Sequence, residues 1–308
     1  MKKQIAKRFF ELIILLIVLS MLTFLLMYLA PGDPAEKRLS SQGVAVTKEV
    51  LNAERERMGL LRPFFVRYGE WAINVLHGDF GVSFKDDLPV APKLAKGLKN
   101  TIILAMASLL ISILISIPLG VYSAVKENSI FDHGVRLFSF IGNSLPNFLV
   151  SVLLMYFFCI SLKLFPIIAT GSAQGLFLPA ISLAIPMSGK FIRQIRTEIL
   201  TELKKDYVVG LRSRGVRERD VLFKNVFYNS MGHIFTIVAL QIGVLMGGSV
   251  VIETIFRWPG IGKLVMDSID ARDYPVIMGF VLILGSIYVA LNFLSDVLCK
   301  VIDPRADK

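Results

Sequence analysis

Six apolar runs, at 9–29, 101–125, 138–160, 176–192, 234–252 and 276–302, leave this chain few ways to fold. A helix needs about twenty residues to cross the hydrocarbon of a bilayer, and most of these runs approach or exceed that length. In hydrocarbon every backbone amide must find its partner within the protein, and long unbroken apolar runs do so as helices. Composition points the same way. Of 308 residues, 54% are hydrophobic and the mean hydropathy is +0.64, against roughly 45–50% apolar residues in soluble domains. The fold class expected is all-α, a polytopic membrane protein with six transmembrane helices.

The first run follows Lys2, Lys3, Lys7 and Arg8. Its apolar part is longer than the core of a secretory signal, and Pro31 directly follows Ala30 where a cleavage site would lie. An uncleaved first span is expected. Three parts follow from the pattern: 1–30, an N-terminus and first span; 31–100, a polar and partly helical insert; and 101–308, a core of five spans. In the insert, Thr47 is placed to cap a helix that runs to Gly59, and Pro63 to start another. Phe64, Phe65, Tyr68, Trp71, Ala72, Val75 and Leu76 share one side of that second helix. Such a helix can lie at a membrane interface or pack on a neighbouring span.

The core is interrupted by a polar segment, 198–228, between the fourth and fifth runs. It carries Lys204, Lys205, Arg212, Arg214, Arg217, Arg219 and Lys224 among Asp206, Glu218 and Asp220. Two short helices joined by a turn at Gly215 are expected, because glycine accepts the backbone angles that end helices. Net charge is +10. In a soluble protein that would suggest nucleic acid, but here its distribution reads as topology. With the N-terminus inside, the inner segments hold about nineteen Lys and Arg and the short outer loops about four. Both termini and the 198–228 segment are thus assigned to the cytoplasm, and 31–100 to the outside.

Pro118, Pro146, Pro179 and Pro186 fall within or near the ends of the runs, where they act as packing kinks or line a path. Cys159 and Cys299 lie in apolar runs without metal or redox spacing and read as buried thiols. No G-x-x-x-x-G-K-[ST] phosphate loop, H-E-x-x-H or G-x-S-x-G motif occurs. His77, His133 and His233 are far apart, so no metal site is expected from this chain alone. The centres of the spans lack the acidic residues that proton- or sodium-coupled carriers need. In the fifth run, Gln241, Gly243, Gly247, Gly248 and Ser249 form a stripe of small and polar residues, suited to close helix packing or to lining a passage. Beyond it, Trp258, Pro259 and Gly260 make a tight outer turn, and Asp273 and Tyr274 precede the last span. Their aromatic rings fit an interfacial belt.

Taken in order, several short motifs resemble the inner-membrane permease subunits of ATP-binding-cassette importers, specifically the first permease subunit of the dipeptide, oligopeptide and nickel branch. They are PGDPA at 31–35, HGDFGVSF at 77–84, PVAPKL at 89–94, SIPLG at 116–120, SLPNF at 144–148, LPAISLA at 178–184, VVIETIFRWPGIG at 250–262, ARDYPVI at 271–277 and DPR at 303–305. The 198–228 segment is similar to that family's cytoplasmic coupling segment, an E-A-A, three residues, G pattern. Val209, Gly210 and Leu211 stand at the E-A-A positions and Gly215 at the glycine, and Tyr228 stands where a proline often closes the pattern.

The resemblance implies a transport subunit and not an enzyme, with no cofactor bound by this chain and with ATP and Mg held by partner ATPase subunits. It assigns ATPase coupling to Asp206, Tyr207, Gly210, Arg212, Arg214, Gly215, Arg217, Glu218 and Asp220. The 241–249 stripe falls to the pathway or subunit interface, and Trp258, Pro259, Gly260, Asp273 and Tyr274 to an outer loop facing a binding protein. The partners implied are a second permease subunit, two ATPase subunits, an extracytoplasmic substrate-binding protein and membrane lipid, with no nucleic acid. The setting implied is the inner or plasma membrane of a prokaryote. YGEWAINVLHGDFGVSF, 68–84, resembles the nickel type and SIFDH, 129–133, the dipeptide type. The expected substrate is nickel, free or chelated, ahead of short peptides. A self-contained carrier or channel is the alternative.

Overall fold

A computed structural model describes the backbone from Lys2 to Ile302, and side chains except those at 2–9, 240, 242, 244, 246, 291, 292 and 294–302. Cys299 and the DPR motif lie outside the described side chains. Among the described residues there are thirteen α-helices and no strand beyond a single bridge between Val82 and Pro89. The chain divides into two compact units: one holds the residues up to Thr101 together with Pro259–Ala290, the other Ile102–Trp258 with the end of the last helix.

In the first unit, helix α1 runs Lys2–Leu29. α2, Pro34–Ser41, starts with proline at its first turn and is capped by Asp33, whose carboxylate accepts from the Ala35 amide at 2.8 Å. Both features suit a helix N-terminus. α3, Lys48–Arg57, is capped by Thr47, whose hydroxyl accepts from the Val50 amide at 3.3 Å. α4, Phe64–Leu76, follows Pro63. Both helix starts match the sequence expectation. α4 packs on α1 through Tyr68, whose hydroxyl lies 3.0 Å from Ser20 Oγ. Phe64 sets its ring edge-on to Phe24 and Tyr28, at 5.1 and 5.3 Å between centroids. Phe65, Ile73 and Leu76, on another face of α4, are 73, 59 and 85% exposed. The helix therefore packs on one side and leaves an apolar side bare, as an interfacial helix does. The unit is completed by the start of α5, Val90–Val125, by α12, Ile261–Ala271, and by the start of α13, Tyr274–Ile302.

The second unit is built around α8, Ala173–Leu203, which extends well past the apolar run that marked it. It is joined by most of α5, by α6, Ile130–Ser144, by α7, Asn147–Leu154 (continued by a π turn to Ser161), and by α11, Phe227–Phe256. Small groups let these helices approach closely. A methyl group added at Gly120 of α5 would meet Ile195 Cγ2 at 2.9 Å, and one at Gly189 of α8 would meet the Ser139 carbonyl oxygen of α6 at 2.7 Å. Ser112 and Ser116, four apart on α5, both reach α8: Ser188 Oγ donates to Ser112 Oγ at 3.2 Å, and Ser116 Oγ donates to the Ser188 carbonyl at 3.3 Å. At the other end of the seam Asp132 is fully buried. It receives two hydrogen bonds from Arg196, at 2.7 and 2.8 Å, one from Ser123 Oγ at 2.5 Å and one from the Asn128 amide at 3.0 Å. Four donors on one carboxylate offset the cost of taking its charge from water. Cys159 is buried, as expected.

One expected span takes another form. The run at 138–160 does not cross straight: α6 and α7 meet at Leu145-Pro146 with a bend of 102°. Pro146 lacks an amide to continue the helix, and the residue before a proline is driven out of the helical region; Leu145 is accordingly extended, at φ −82° and ψ 129°. Pro118, Pro179 and Pro186, by contrast, lie inside unbroken helices. Among the described residues three helices are long and apolar enough to cross a membrane, within α1, α5 and α8, or four if the bent pair counts as one. Gly247–Phe256 and Tyr274–Ala290 are shorter apolar stretches.

Because the three atoms that a methyl at Gly189 would meet, from Ser139, Asn143 and Gly142, all belong to backbone, Gly189→Ala should destabilise the protein by about 1–3 kcal/mol through overpacking. The same change at Gly134, where an added methyl meets nothing, should be close to neutral. Thermal unfolding of the two variants in detergent measures the difference.

Candidate functional site

The polar segment after α8 forms α9, Asp206–Ser213, a turn, and α10, Glu218–Asp220, which passes through a π turn, Val221–Val226, into α11. Gly215 occupies the turn at φ +75°, so the two-helix expectation and its glycine hold. The inner side is apolar and closed: Val208, Val221 and Val226 are fully buried. Behind it, Tyr207 donates to Glu202 at 2.8 Å and accepts from Asn229 Nδ2 at 3.3 Å, and Lys205 pairs with Glu202 at 2.5 Å. The outer side is braced by charge. Arg212 makes two hydrogen bonds to Glu218, at 3.1 and 2.5 Å, across the Gly215 turn, and Lys224 pairs with Asp220 at 2.8 Å. The Arg212 guanidinium holds the Glu218 carboxyl below the usual glutamate range.

Of the residues singled out here, Asp206, Gly210, Arg212, Arg214, Gly215, Arg217 and Glu218 are exposed, whereas Tyr207 and Asp220 are half-buried. A methyl group at Gly210 would touch nothing. Val209, beside it, is 57% exposed, and Phe223 and Tyr228 are 56 and 73% exposed. The surface is a flat helix face with apolar patches and a basic rim. Sequence reading missed Glu202 and Asn229, the groups that anchor Tyr207 from behind.

The residues assigned from sequence to an outer loop are less open than expected. Trp258 is 2% exposed, a core side chain of its unit and not a lipid-facing anchor. Asp273 is 1% exposed. Gly260 is buried, and Pro259 and Tyr274 are half-buried. For Pro259, Gly260, Asp273 and Tyr274, surroundings in the first unit explain this. Asn100 donates to the Pro259 carbonyl at 2.8 Å, and the Ile261 amide donates to Thr101 Oγ1 at 2.9 Å. Asp273 accepts from Ser83 Oγ at 2.5 Å and from the Phe84 amide at 2.8 Å. Burial holds the Asp273 carboxyl above its usual range. HGDFGVSF and ARDYPVI, read as separate motifs, are thus one clamp.

Arg38 extends the clamp. It donates to the Phe84 carbonyl at 2.8 Å and pairs with Asp87, which Arg57 also meets, at 2.8 Å. The two guanidiniums hold the Asp87 carboxyl far below the aspartate range. Ser83 and Phe84 lay inside a motif already noted; Arg38, Asp87 and Arg57 gave no local signal.

In the fifth run, Gln241, Gly243 and Gly248 are half-buried, Gly247 is exposed and Ser249 is fully buried. Methyl groups at Gly247 and Gly248 would meet nothing, so this part of the stripe lies open within the single chain. Among the described residues, no group of three His, Cys, Asp or Glu is placed to hold a metal.

The profile of the family described as "Binding-protein-dependent transport system inner membrane component" matches residues 116–308, and the profile of its N-terminal region matches residues 1–105. The chain belongs to this family. A putative peptide transport system permease protein of Brucella abortus (strain 2308) is 37% identical, over 99% of this chain and 99% of that protein. The nickel import system permease protein NikB of Staphylococcus aureus (strain MRSA252) is 34% identical, over 98% and 91%. Among solved structures, the MetNI methionine ABC transporter in an inward-facing conformation shares the fold. Its TM-score is 0.57 at 17% identity, over 68% of this chain and 96% of that one. This inner membrane component is therefore a multi-pass permease subunit of an ABC importer, of the peptide and nickel branch, and a transport protein rather than an enzyme.

Asp273→Ala should cost about 1–3 kcal/mol, because it leaves a buried amide without its acceptor, and Asp273→Asn, which keeps an acceptor for Phe84, should cost less. The raised carboxyl also sets a sign. Folding favours protonated Asp273, so its contribution is fully present below about pH 4, the unfolded value, and is lost as pH rises through the folded value. Asp87 does the opposite, contributing above about pH 4 and failing as pH falls further. Melting temperature against pH should lose its decline above pH 4 in Asp273→Asn, and its acid limb should steepen less in Asp87→Asn.

Proposed function

We propose that this permease crosses the membrane six times, with both termini and the 198–228 segment in the cytoplasm, and that α9 is the coupling helix. Three parts, 1–30, 31–100 and 101–308, then serve as first span, outer insert and permease core. The subunit pairs with a second, non-identical permease, and two ATPase subunits dock below. In this reading Asp206, Tyr207, Gly210, Arg212, Arg214, Gly215, Arg217, Glu218 and Asp220 form the coupling surface. Closure of the ATPases on ATP moves each docked helix as a rigid body, and differential binding to the two states shifts the side to which the pathway opens. The basic rim sets docking orientation more than affinity.

The observation that carries the reading is the build of α9: bare and smooth outside at Val209 and Gly210, packed and hydrogen-bonded inside at Val208 and Tyr207. A lever must present one face to its partner and fix the other to its own core. The asymmetry of basic residues between inner and outer loops supports the topology. Gly247 and Gly248, open within one chain, supply the face for the second permease, with Gln241, Gly243 and Ser249 beside them. The clamp at Asp273 stiffens the outer insert, and Trp258, Pro259, Gly260 and Tyr274 shape the outer loop from within, so the binding protein meets the surface that they support. The cargo is nickel, free or chelated, or a short peptide, delivered and selected by that binding protein. ATP and Mg stay on the ATPases, and the chain itself carries no cofactor.

Gly210→Trp tests the docking directly, since the fold has room for the ring. In reconstituted vesicles holding the whole importer, it should lower ATP-driven uptake by at least about tenfold, a loss of roughly 1.4 kcal/mol or more of coupling, with melting temperature unchanged. Deletion of residues 210–220 should abolish uptake while the chain still inserts. Full uptake by either variant, or transport by the purified chain with no ATPase present, overturns the reading. Radiolabelled nickel and a labelled dipeptide, offered in parallel, separate the two cargo classes.

A further inference from the structure

The first unit holds a cavity of about 200 Å³ against one face of α4. A cavity of about 150 Å³ accommodates benzene, so this one has room for a solute of about ten non-hydrogen atoms. Arg67, Glu70, Trp71 and Asn74 recur at three- and four-residue spacing and line one wall, while Phe24, Asp79 and Tyr274 are among the residues that complete it. The apolar, exposed side of α4 at Phe65, Ile73 and Leu76 points elsewhere, so the cavity lies on the protein side of the helix.

Two donors in this wall have no acceptor. Trp71 Nε1 is buried and makes no hydrogen bond. Arg67, half-buried, sits 5.5 Å from the centre of the Phe24 ring and has no carboxylate or hydrogen-bond partner among the described residues. Burial pulls its pKa down, against smaller opposing contributions from Tyr274 and Tyr28. Buried donors are nearly always satisfied, so an open buried indole N–H one helical turn from a half-buried guanidinium without an ion pair marks a place for an anionic group. The wall is not simply basic. Arg62 and Arg67 are balanced by Glu70 and Asp79. Arg62 pairs with Glu70 at 2.7 Å, and one Asp79 oxygen caps the Gly81 amide at 2.8 Å, while its other oxygen makes no hydrogen bond among the described residues. Two cations against two anions disfavour a dianion such as phosphate and match a ligand that carries one charge of each sign. The rings of Phe24, Trp71, Phe84 and Tyr274 supply apolar cover for a side chain.

We propose that this cavity binds a small zwitterion, an α-amino acid or a dipeptide, with its carboxylate on the Arg67 guanidinium and Trp71 indole N–H and its ammonium toward Asp79. The site needs only the first unit, and it stands whether or not α9 couples to an ATPase. The test uses the full-length chain in lipid nanodiscs, with L-leucine and alanyl-alanine as probes. The chain has 2 tryptophans, so a change in intrinsic fluorescence that Trp71→Phe removes reports this cavity. Saturable binding of either probe is expected, weakened at least about tenfold by Arg67→Gln, because a charge-assisted contact is lost. Leucinamide, which lacks the carboxylate, should bind as weakly to the parent. Asp79→Asn should weaken L-leucine but not N-acetyl-leucine, which has no ammonium. Arg67→Gln gives up no hydrogen bond or ion pair among the described residues, only the weak contact with the Phe24 ring, so without ligand it should melt at most a few degrees below the parent, and a tenfold loss of binding is not a loss of fold. Absence of saturable binding, equal binding by Arg67→Gln, equal binding of leucinamide, or binding of inorganic phosphate as tight as that of the zwitterions each overturns the proposal.

Discussion

Helices surrounded by lipid gain little by hiding apolar side chains from one another, because the lipid tails are as apolar as the side chains. What remains is contact at short range: dispersion between closely packed backbones, and hydrogen bonds that hydrocarbon cannot supply. α8 is held in just this way. Gly120 and Gly189 let α5 and α6 approach α8 to distances that an added methyl would not permit, Gly142 makes a further close approach, and Ser112, Ser116 and Ser188 place hydroxyls in the narrow seam between α5 and α8. At the end of the seam, Arg196 and Asp132 fix α8 to α6 with paired, fully directed hydrogen bonds. A larger apolar residue at any of these glycines adds area but separates the helices, and the hydroxyls and charges beyond lose their partners. Close approach comes first, and the polar bonds depend on it.

The same physics decides what could be read from sequence. Length and hydropathy are local properties, so the apolar runs, the caps at Thr47 and Pro63 and the turn at Gly215 were visible. The break at Leu145-Pro146 was not, since the apolar run resumes beyond Asn143, Ser144 and Asn147 and a proline in a span kinks in one context and breaks in another; Pro118, Pro179 and Pro186 do neither visibly. Trp258 and Asp273 show a second limit. A tryptophan or aspartate at a turn has the same local signature whether the space beyond is lipid, water or its own protein. Asp273 is buried only because Ser83 and Phe84, nearly two hundred positions earlier, bring it two donors. Nothing near either segment records the other. The pairings of Arg38, Asp87 and Arg57 are of the same kind.

The coupling role proposed for the segment after α8 requires that it transmit displacement, and softness anywhere along such an element absorbs the motion instead. The segment that leaves α8 is short and is tied at each step. Lys205 and Tyr207 hold to Glu202, Val208 is sunk into the core, Arg212 spans the Gly215 turn to Glu218, and Val221 and Val226 return the chain to α11. Gly215 supplies the one sharp turn, and the bond from Arg212 to Glu218 removes the hinge freedom that glycine would otherwise bring. The exposed ion pairs contribute little to global stability, since surface pairs seldom exceed about 1 kcal/mol. Their value lies in restricting α9 to one attitude relative to α8.

That division of labour bears on why this chain departs from the E-A-A pattern it otherwise resembles. If the three positions served to bind a partner through specific groups, replacing an acid and two alanines by Val209, Gly210 and Leu211 would remove the contact. The structure gives these positions different duties. Val209 and Gly210 are exposed, and Leu211 turns inward to pack on the core. What the positions have in common is small or apolar volume on a stiff helix, a requirement of shape. A surface defined by shape tolerates exchange among small residues and fails on bulk, whereas a surface defined by charge would fail on the loss of the acid and tolerate bulk. The residues present at 209–211 satisfy the first requirement and not the second, so on the coupling role proposed above this face works by steric fit, with orientation supplied by the arginines around it.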